Sequence, residues 1–257
     1  MKVYIICLKS TYEKRCKPTL ESWYRIASKS LLNLEIVHVD ATTPADFELE
    51  DVVHPYTHNS ILKKRRNTTD ILGSDKECAC YLSHLKIWNM IVASQEPGIV
   101  VEDDGNRDVK QGLQRLDQLQ KKPLNTDIYL LEHAPIKFQA FKYNNDYLKV
   151  NRFVGAMFYY IDLNACTRLI RYSIPLVFNV DTYMSSCIQS LDLNIYTKRG
   201  NALSVSSFIT QHMISSLGKN HYSSALINIS VALVILTLVS ITLIVLYTKA
   251  QVFYNDR

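Results

Sequence analysis

The chain has 257 residues, 47% of them hydrophobic and 21% charged, with a formal charge of +5 and a pI near 8.8. That balance excludes a disordered, fibrous or low-complexity protein, and no segment repeats at a solenoid period. The basic excess has one dense cluster, Lys63-Lys64-Arg65-Arg66, which reads as a solvated loop ahead of a polyanion site, and nucleic acid is not expected as a partner.

Taken in chain order, the first apolar run is residues 3–8, followed at once by Lys9, Glu13, Lys14 and Arg15. It reads as a first strand and not as a secretory signal. Without a signal, the six cysteines (Cys7, Cys16, Cys78, Cys80, Cys166 and Cys187) are expected as reduced thiols. Cys78-Ala79-Cys80 has no second pair at zinc-site spacing, so these two read as buried structural cysteines, and no metal is assigned to them. Further short runs rich in Val, Ile and Tyr at 34–39, 99–101, 128–131 and 157–161 mark buried strands. Between them, Ser74-Asp75-Lys76-Glu77 has the spacing of a capping box and opens a helix of about four turns that buries Tyr81, Leu82, Leu85, Trp88 and Val92. Alternating strands and helices predict one α/β domain of about 220 residues, with a mainly parallel sheet covered on both faces.

Such sheets bind ligands at the carboxyl ends of their strands. The polar residues directly after the first three strands are Lys9, Asp40 and the cluster Glu102-Asp103-Asp104. Three adjacent carboxylates ending a buried strand repel one another unless a cation neutralises them, an acidic turn on the surface being the open alternative. Oxygen-only ligands point to Mg²⁺ or Mn²⁺, an ion that shares its remaining positions with substrate phosphates.

The string Glu77-Cys78-Ala79-Cys80-Tyr81-Leu82-Ser83-His84-Leu85-Lys86-Ile87-Trp88, followed by Val100-Val101-Glu102-Asp103-Asp104, resembles glycosyltransferase family 25. That family includes bacterial lipooligosaccharide β-1,4-galactosyltransferases and procollagen galactosyltransferases. The resemblance extends to Ile6-Cys7-Leu8-Lys9 with Glu13-Lys14-Arg15, to Val39-Asp40-Ala41, to Gly155-Ala156 with Tyr159-Tyr160-Ile161 and Ala165, and to Val180-Asp181. It covers most of residues 1–212 and implies a GT-A type fold: a nucleotide-sugar-binding sheet flanked by helices. It further implies a UDP-sugar donor, a divalent ion (Mn²⁺ or Mg²⁺), inversion at the anomeric carbon and transfer of a hexose, as in the galactosyltransferases, to a hydroxyl on a glycan, lipid or protein. On this resemblance Glu102 and Asp104 hold the metal and Asp103 supports them. Lys9, Arg15, Asp40 and His84 lie at the donor nucleotide. Asp181 is the candidate base, with a helix cap or a metal or acceptor contact as open alternatives. Trp88 reads as core, and of Tyr159 and Tyr160, alternating along a strand, at most one faces the cleft.

Residues 225–247 carry no charge, and at about 1.5 Å per residue they form roughly 34 Å of helix, enough to cross a bilayer. The expected organisation is a domain at 1–218, a linker at 219–224, the transmembrane helix at 225–247 and a tail at 248–257. A span so close to the end implies insertion after synthesis and a body on the cytosolic side of a single-pass membrane anchor; glycosylation at Asn67-Thr68-Thr69 would place the body in a lumen instead. This layout also resembles the tail-anchored, glycosyltransferase-fold envelope protein of poxviruses. That resemblance implies a virion-membrane attachment protein binding heparan sulfate, with Lys63 to Arg66 in the binding patch. The intact carboxylate cluster favours catalysis over attachment.

Overall fold

The computed structural model describes residues 1–62, 71–105, 108–134 and 138–201, all within one compact unit, Met1–Phe208. The Lys63 to Arg66 cluster, Asn67, the 219–224 linker and the 225–247 segment lie outside the described residues. Among the described residues no helix is long and apolar enough to cross a membrane.

Eight strands form one sheet: β1 (Lys2–Cys7), β2 (Glu35–Asp40), β3 (Gly98–Glu102), β4 (Ile128–Glu132), β5 (Gln139–Lys142), β6 (Tyr147–Arg152), β7 (Phe158–Ile161) and β8 (Ile195–Lys198), in the order β2-β1-β3-β7-β4-β8-β6-β5. The helices are α1 (Lys17–Lys29), α2 (Leu49–Val52), α3 (Pro55–Leu62), α4 (Asp75–Ser94), α5 (Val109–Gln120), α6 (Leu163–Arg171) and α7 (Val180–Ser190). Side chains alternate across each strand, so the sheet has two apolar faces. Val3, Ile5, Ile99, Val101, Tyr129, Leu131 and Phe158 pack beneath Trp23 and Ile26 of α1 and Leu116 and Leu119 of α5. Tyr4, Ile6, Val100, Ile128, Leu130 and Tyr159 pack against α4, α6 and α7. Each fully buried aliphatic side chain contributes about 1.5–3 kcal/mol. Helix α5 lies so close to α1 that a Cβ at Gly112 would collide with Ile26.

The sheet is mixed, which corrects the expectation of a mainly parallel one. β1–β2, β1–β3 and β4–β8 pair in parallel, but β7 runs backwards between β3 and β4 and pairs antiparallel with both. The reason is local: β6 runs away from the carboxyl edge, the segment after it comes back to that edge, where the Val154 carbonyl accepts from the Ala134 amide at 3.0 Å, and β7 enters the sheet from that side. Thus Met157, just before β7, accepts a hydrogen bond from Glu102 N–H at 2.9 Å. Strands β5, β6 and β8 escape the sequence reading because their segments (QAFK, YLKVNR and IYTK) are short and each contains lysine; β5 and β6 are also partly exposed, whereas β8 is buried except at Lys198.

Helix α4 runs 20 residues, longer than expected, until Gln95 closes it in the left-handed region at φ 56°. Its start departs from a capping box in one bond: the Ser74 hydroxyl accepts from Glu77 N–H at 3.2 Å, whereas the Glu77 carboxylate reaches the Gly73 amide at 2.6 Å.

Cys7 and Cys16 form a disulfide, so the expectation of reduced thiols fails for this pair. The end of β1 and the tight turns over Lys9–Thr11 and Tyr12–Cys16 bring the two sulfurs together, a closure that spacing alone does not reveal. Cys78, Cys80, Cys166 and Cys187 are thiols; Cys78 is buried as expected, but Cys80 is exposed. Replacing Cys16 by serine is expected to cost about 2–3 kcal/mol, the loop-closure entropy of a link this short, measurable by denaturant titration.

Candidate active site

Because β1, β2, β3 and β4 run in one direction, their carboxyl ends line one edge of the sheet. The acidic turn stands there, closed by a hydrogen bond from Gly105 N–H to the Glu102 carbonyl at 2.9 Å. Arg15 reaches it from the turn that the disulfide ties to β1. Its Nη2 lies 2.6 Å from Asp103 Oδ1 and 2.7 Å from Asp104 Oδ2. The neutralising charge expected from a metal is thus supplied in part by a guanidinium, and Arg15, expected at the nucleotide, is engaged with carboxylates.

Asp103 is the anchor of the turn. Its Oδ2 accepts from the Leu8 amide at 3.3 Å and the Thr11 hydroxyl at 3.4 Å, while the buried Thr19 hydroxyl lies 2.7 Å from its carbonyl. Burial pushes its carboxyl up, opposed by Arg15. Asp104 goes further: burial first, then repulsion from Glu102, push it up to about 7 against the pull of Arg15. Two buried polar atoms of this cluster, Asp104 Oδ1 and Arg15 Nε, have no hydrogen-bond partner. Native interiors rarely leave such groups unpaired except where a ligand, ion or water satisfies them.

Glu102 meets His84 from α4. His84 is fully buried, with Nε2 3.2 Å from Glu102 Oε1 and Nδ1 2.9 Å from the Tyr159 hydroxyl. Trp88, one turn along, donates its indole N–H to the same hydroxyl at 3.0 Å. Trp88 is therefore core, and Tyr159 is the tyrosine on the site's side of the sheet; Tyr160 points to the other face, under Lys122. Ser83, beside His84, accepts the Thr42 amide at 2.9 Å and so ties the loop after β2 to α4.

Lys9 and Asp40 come together as expected at the ends of β1 and β2, but pair with each other at 3.2 Å in an exposed contact of little energetic weight. Asp181 opens α7 and is held by two amides: Oδ2 accepts from Gly155 N–H at 2.8 Å and Oδ1 from Thr182 N–H at 2.7 Å. Gly155 sits at φ +82°, where a Cβ would lie 3.1 Å from the Ala134 amide, so only glycine fits that approach. Geometry therefore gives Asp181 the work of holding the loop before β7.

The sequence reading passed over Glu132 and His133, which end β4 on the same edge, each 3% exposed. Burial pushes Glu132 up to about 7, opposed by the charge of Arg115. His133 donates Nδ1–H to the Ala134 carbonyl at 2.9 Å and stacks on Phe138. The rule that located Asp40 and Glu102, a polar residue ending a buried strand, would have found them.

These features define an α/β protein with an acidic, arginine-buttressed turn at the carboxyl edge of its sheet. Residues 1–184 match the model of glycosyltransferase family 25 (LPS biosynthesis protein), and the chain belongs to that family; it is a sugar-transferring enzyme. No curated protein matches the chain. Among solved structures, UDP-glucose pyrophosphorylase complexed with UDP-glucose is 10% identical at a TM-score of 0.46, covering 83% of this chain and 97% of that one. Mouse xyloside xylosyltransferase 1 in its apo form is 8% identical at a TM-score of 0.35, covering 84% and 83%. At these scores neither likeness enters the argument.

Proposed function

We propose that the enzyme transfers a hexose, such as galactose, from a UDP-sugar to a hydroxyl acceptor with inversion, using Mn²⁺ or Mg²⁺ bound by Glu102 and Asp104. The observation that carries this reading is the buried, unpartnered Oδ1 of Asp104 next to Glu102, an oxygen pair suited to a hard divalent ion. Such an ion, when bound, supplies Lewis-acid stabilisation to the departing diphosphate. Arg15 keeps the Asp103-Asp104 turn in place, and the Tyr159–His84 contact orients Glu102.

The test is a panel of UDP-sugars with the purified chain and Mn²⁺, reading UDP release. Turnover of one UDP-hexose that stops on chelation supports the reading; no donor binding with or without metal overturns it. Asp181 separates base from anchor. With both oxygens already accepting amides it is a poor proton acceptor, so Asp181→Asn, which preserves one carbonyl acceptor, is expected to lower thermal stability while the pH dependence of kcat stays unchanged. A large fall in kcat with loss of the acidic limb of that profile would restore Asp181 as the base. The charge-free 225–247 segment supports membrane anchoring of this enzyme, checked by whether alkaline carbonate extracts it from membranes.

A further inference from the structure

Cys80 and His84 lie one turn apart on α4, so their side chains share a helical face. The Cys80 sulfur, a ring nitrogen of His84 and a carboxylate oxygen of Glu102 all fall within 4.8 Å of one another. The three are graded in exposure, from exposed Cys80 through partly buried Glu102 to buried His84, which leaves an entry path from solvent. The separation of His84 Nε2 from Glu102 Oε1 is 3.2 Å. Two donors bound about 2.1 Å from one ion at near-tetrahedral angles stand roughly 3.2–3.4 Å apart, so this pair needs no rearrangement to share one. Cys80, exposed and unpaired in a disulfide, completes the set by a side-chain rotation. On the far side, Tyr159 holds Nδ1 at 2.9 Å, the outer contact that fixes a ligating imidazole with Nε2 toward the ion.

We propose that Cys80, His84 and Glu102 form a binding site for a borderline-soft divalent cation of the zinc class, distinct in donor set from the oxygen-only Glu102–Asp104 pair. One thiolate, one carboxylate and one neutral imidazole balance a divalent charge and leave a fourth position open, the ligand count of an accessible zinc site. Both sites need Glu102, so zinc bound here excludes Mn²⁺ or Mg²⁺ from the acidic turn and acts as an inhibitor of the transfer. The inhibition rests on the proposed metal-dependent transfer; the binding site does not.

Cobalt(II) is the probe. Titration of the full chain, disulfide intact, is expected to develop a thiolate-to-cobalt charge-transfer band with intense visible absorption at one ion per chain. The band should disappear in Cys80→Ser and persist in both Cys78→Ser and Asp104→Asn. Absence of the band in the wild type, its persistence in Cys80→Ser, or its loss in Asp104→Asn would overturn the assignment. A measurement without any variant stands beside it: Zn²⁺ is expected to slow alkylation of Cys80 at least tenfold, read by peptide mass spectrometry, with no effect of Mg²⁺. Equal alkylation with and without Zn²⁺ would also sink it. Neither readout uses a sugar donor, so failure here and failure of the transferase reading are told apart.

Discussion

Asp104→Asn is expected to lower kcat/KM by about two to four orders of magnitude, the equivalent of several kcal/mol of charge stabilisation at the departing diphosphate. The same substitution should not weaken the fold. The carboxyl of Asp104 is raised from 3.8 to about 7 in the folded protein, chiefly by burial. A carboxyl with a raised folded pKa binds its proton more tightly when folded than unfolded. Its contribution to stability is therefore fully present below pH 3.8 and is lost as the pH rises through about 7. Asparagine carries no such penalty. The metal-free variant is expected to be at least as stable as the wild type at pH 8 and to show a flatter stability profile between pH 4 and 7, by denaturant titration. Isothermal titration with Mn²⁺ completes the test: undiminished metal affinity in the variant, together with retained turnover, would remove Asp104 from the site.

Arg15→Ala is expected to have the largest effect on stability. Its guanidinium touches two carboxylates with side chains only 6% and 14% exposed, and removing one partner of such a group leaves buried charge uncompensated, at a cost of about 3–5 kcal/mol. The loss should be larger at pH 8 than at pH 5, because protonation of Asp104 relieves part of the repulsion in the acid range. The double variant with Asp104→Asn should recover part of the loss, giving a measurable coupling between the two sites. If Arg15→Ala reduced donor binding without moving the denaturation midpoint, the guanidinium would instead belong to the nucleotide, as the family resemblance implied. The carboxylate contacts at 2.6 and 2.7 Å argue for the structural outcome.

Long, fully buried strands were legible in the sequence because their apolar runs are continuous. β1, β3 and β4 end where Lys9, Glu102 and the polar residues after Leu131 begin, and the edge they form is the one the fold rule designates. The short strands β5, β6 and β8 were not legible, since a segment of four to six residues that contains lysine and no continuous apolar run has the composition of a loop. Reversal of β7 was equally hidden: Phe158–Ile161 reads the same in either direction, and only its place between β3 and β4 sets its sense.

Residues of the candidate site divide in the same way. The Glu102-Asp103-Asp104 cluster was legible as adjacent carboxylates ending a strand, and His84 through the family resemblance carried by the Ser83-His84 string. Which partner each takes was not. Side chains 75 residues apart, His84 and Tyr159, meet only because α4 lies across β7, and Arg15 reaches Asp103 and Asp104 only because the loop closed by the Cys7–Cys16 disulfide folds back over the end of β1. Cys80 passed for a buried cysteine because its neighbour Cys78 is one; the helical rotation between the two turns Cys78 into the core and Cys80 toward Glu102. By itself, then, the sequence determined the α/β class, the polar residues that end the parallel strands and the family, since hydrophobic period and local motif are properties of contiguous residues. Tertiary structure alone decided how the carboxylates are neutralised, what Asp181 holds and which side chains surround Glu102, since those depend on distances between segments that no local pattern encodes.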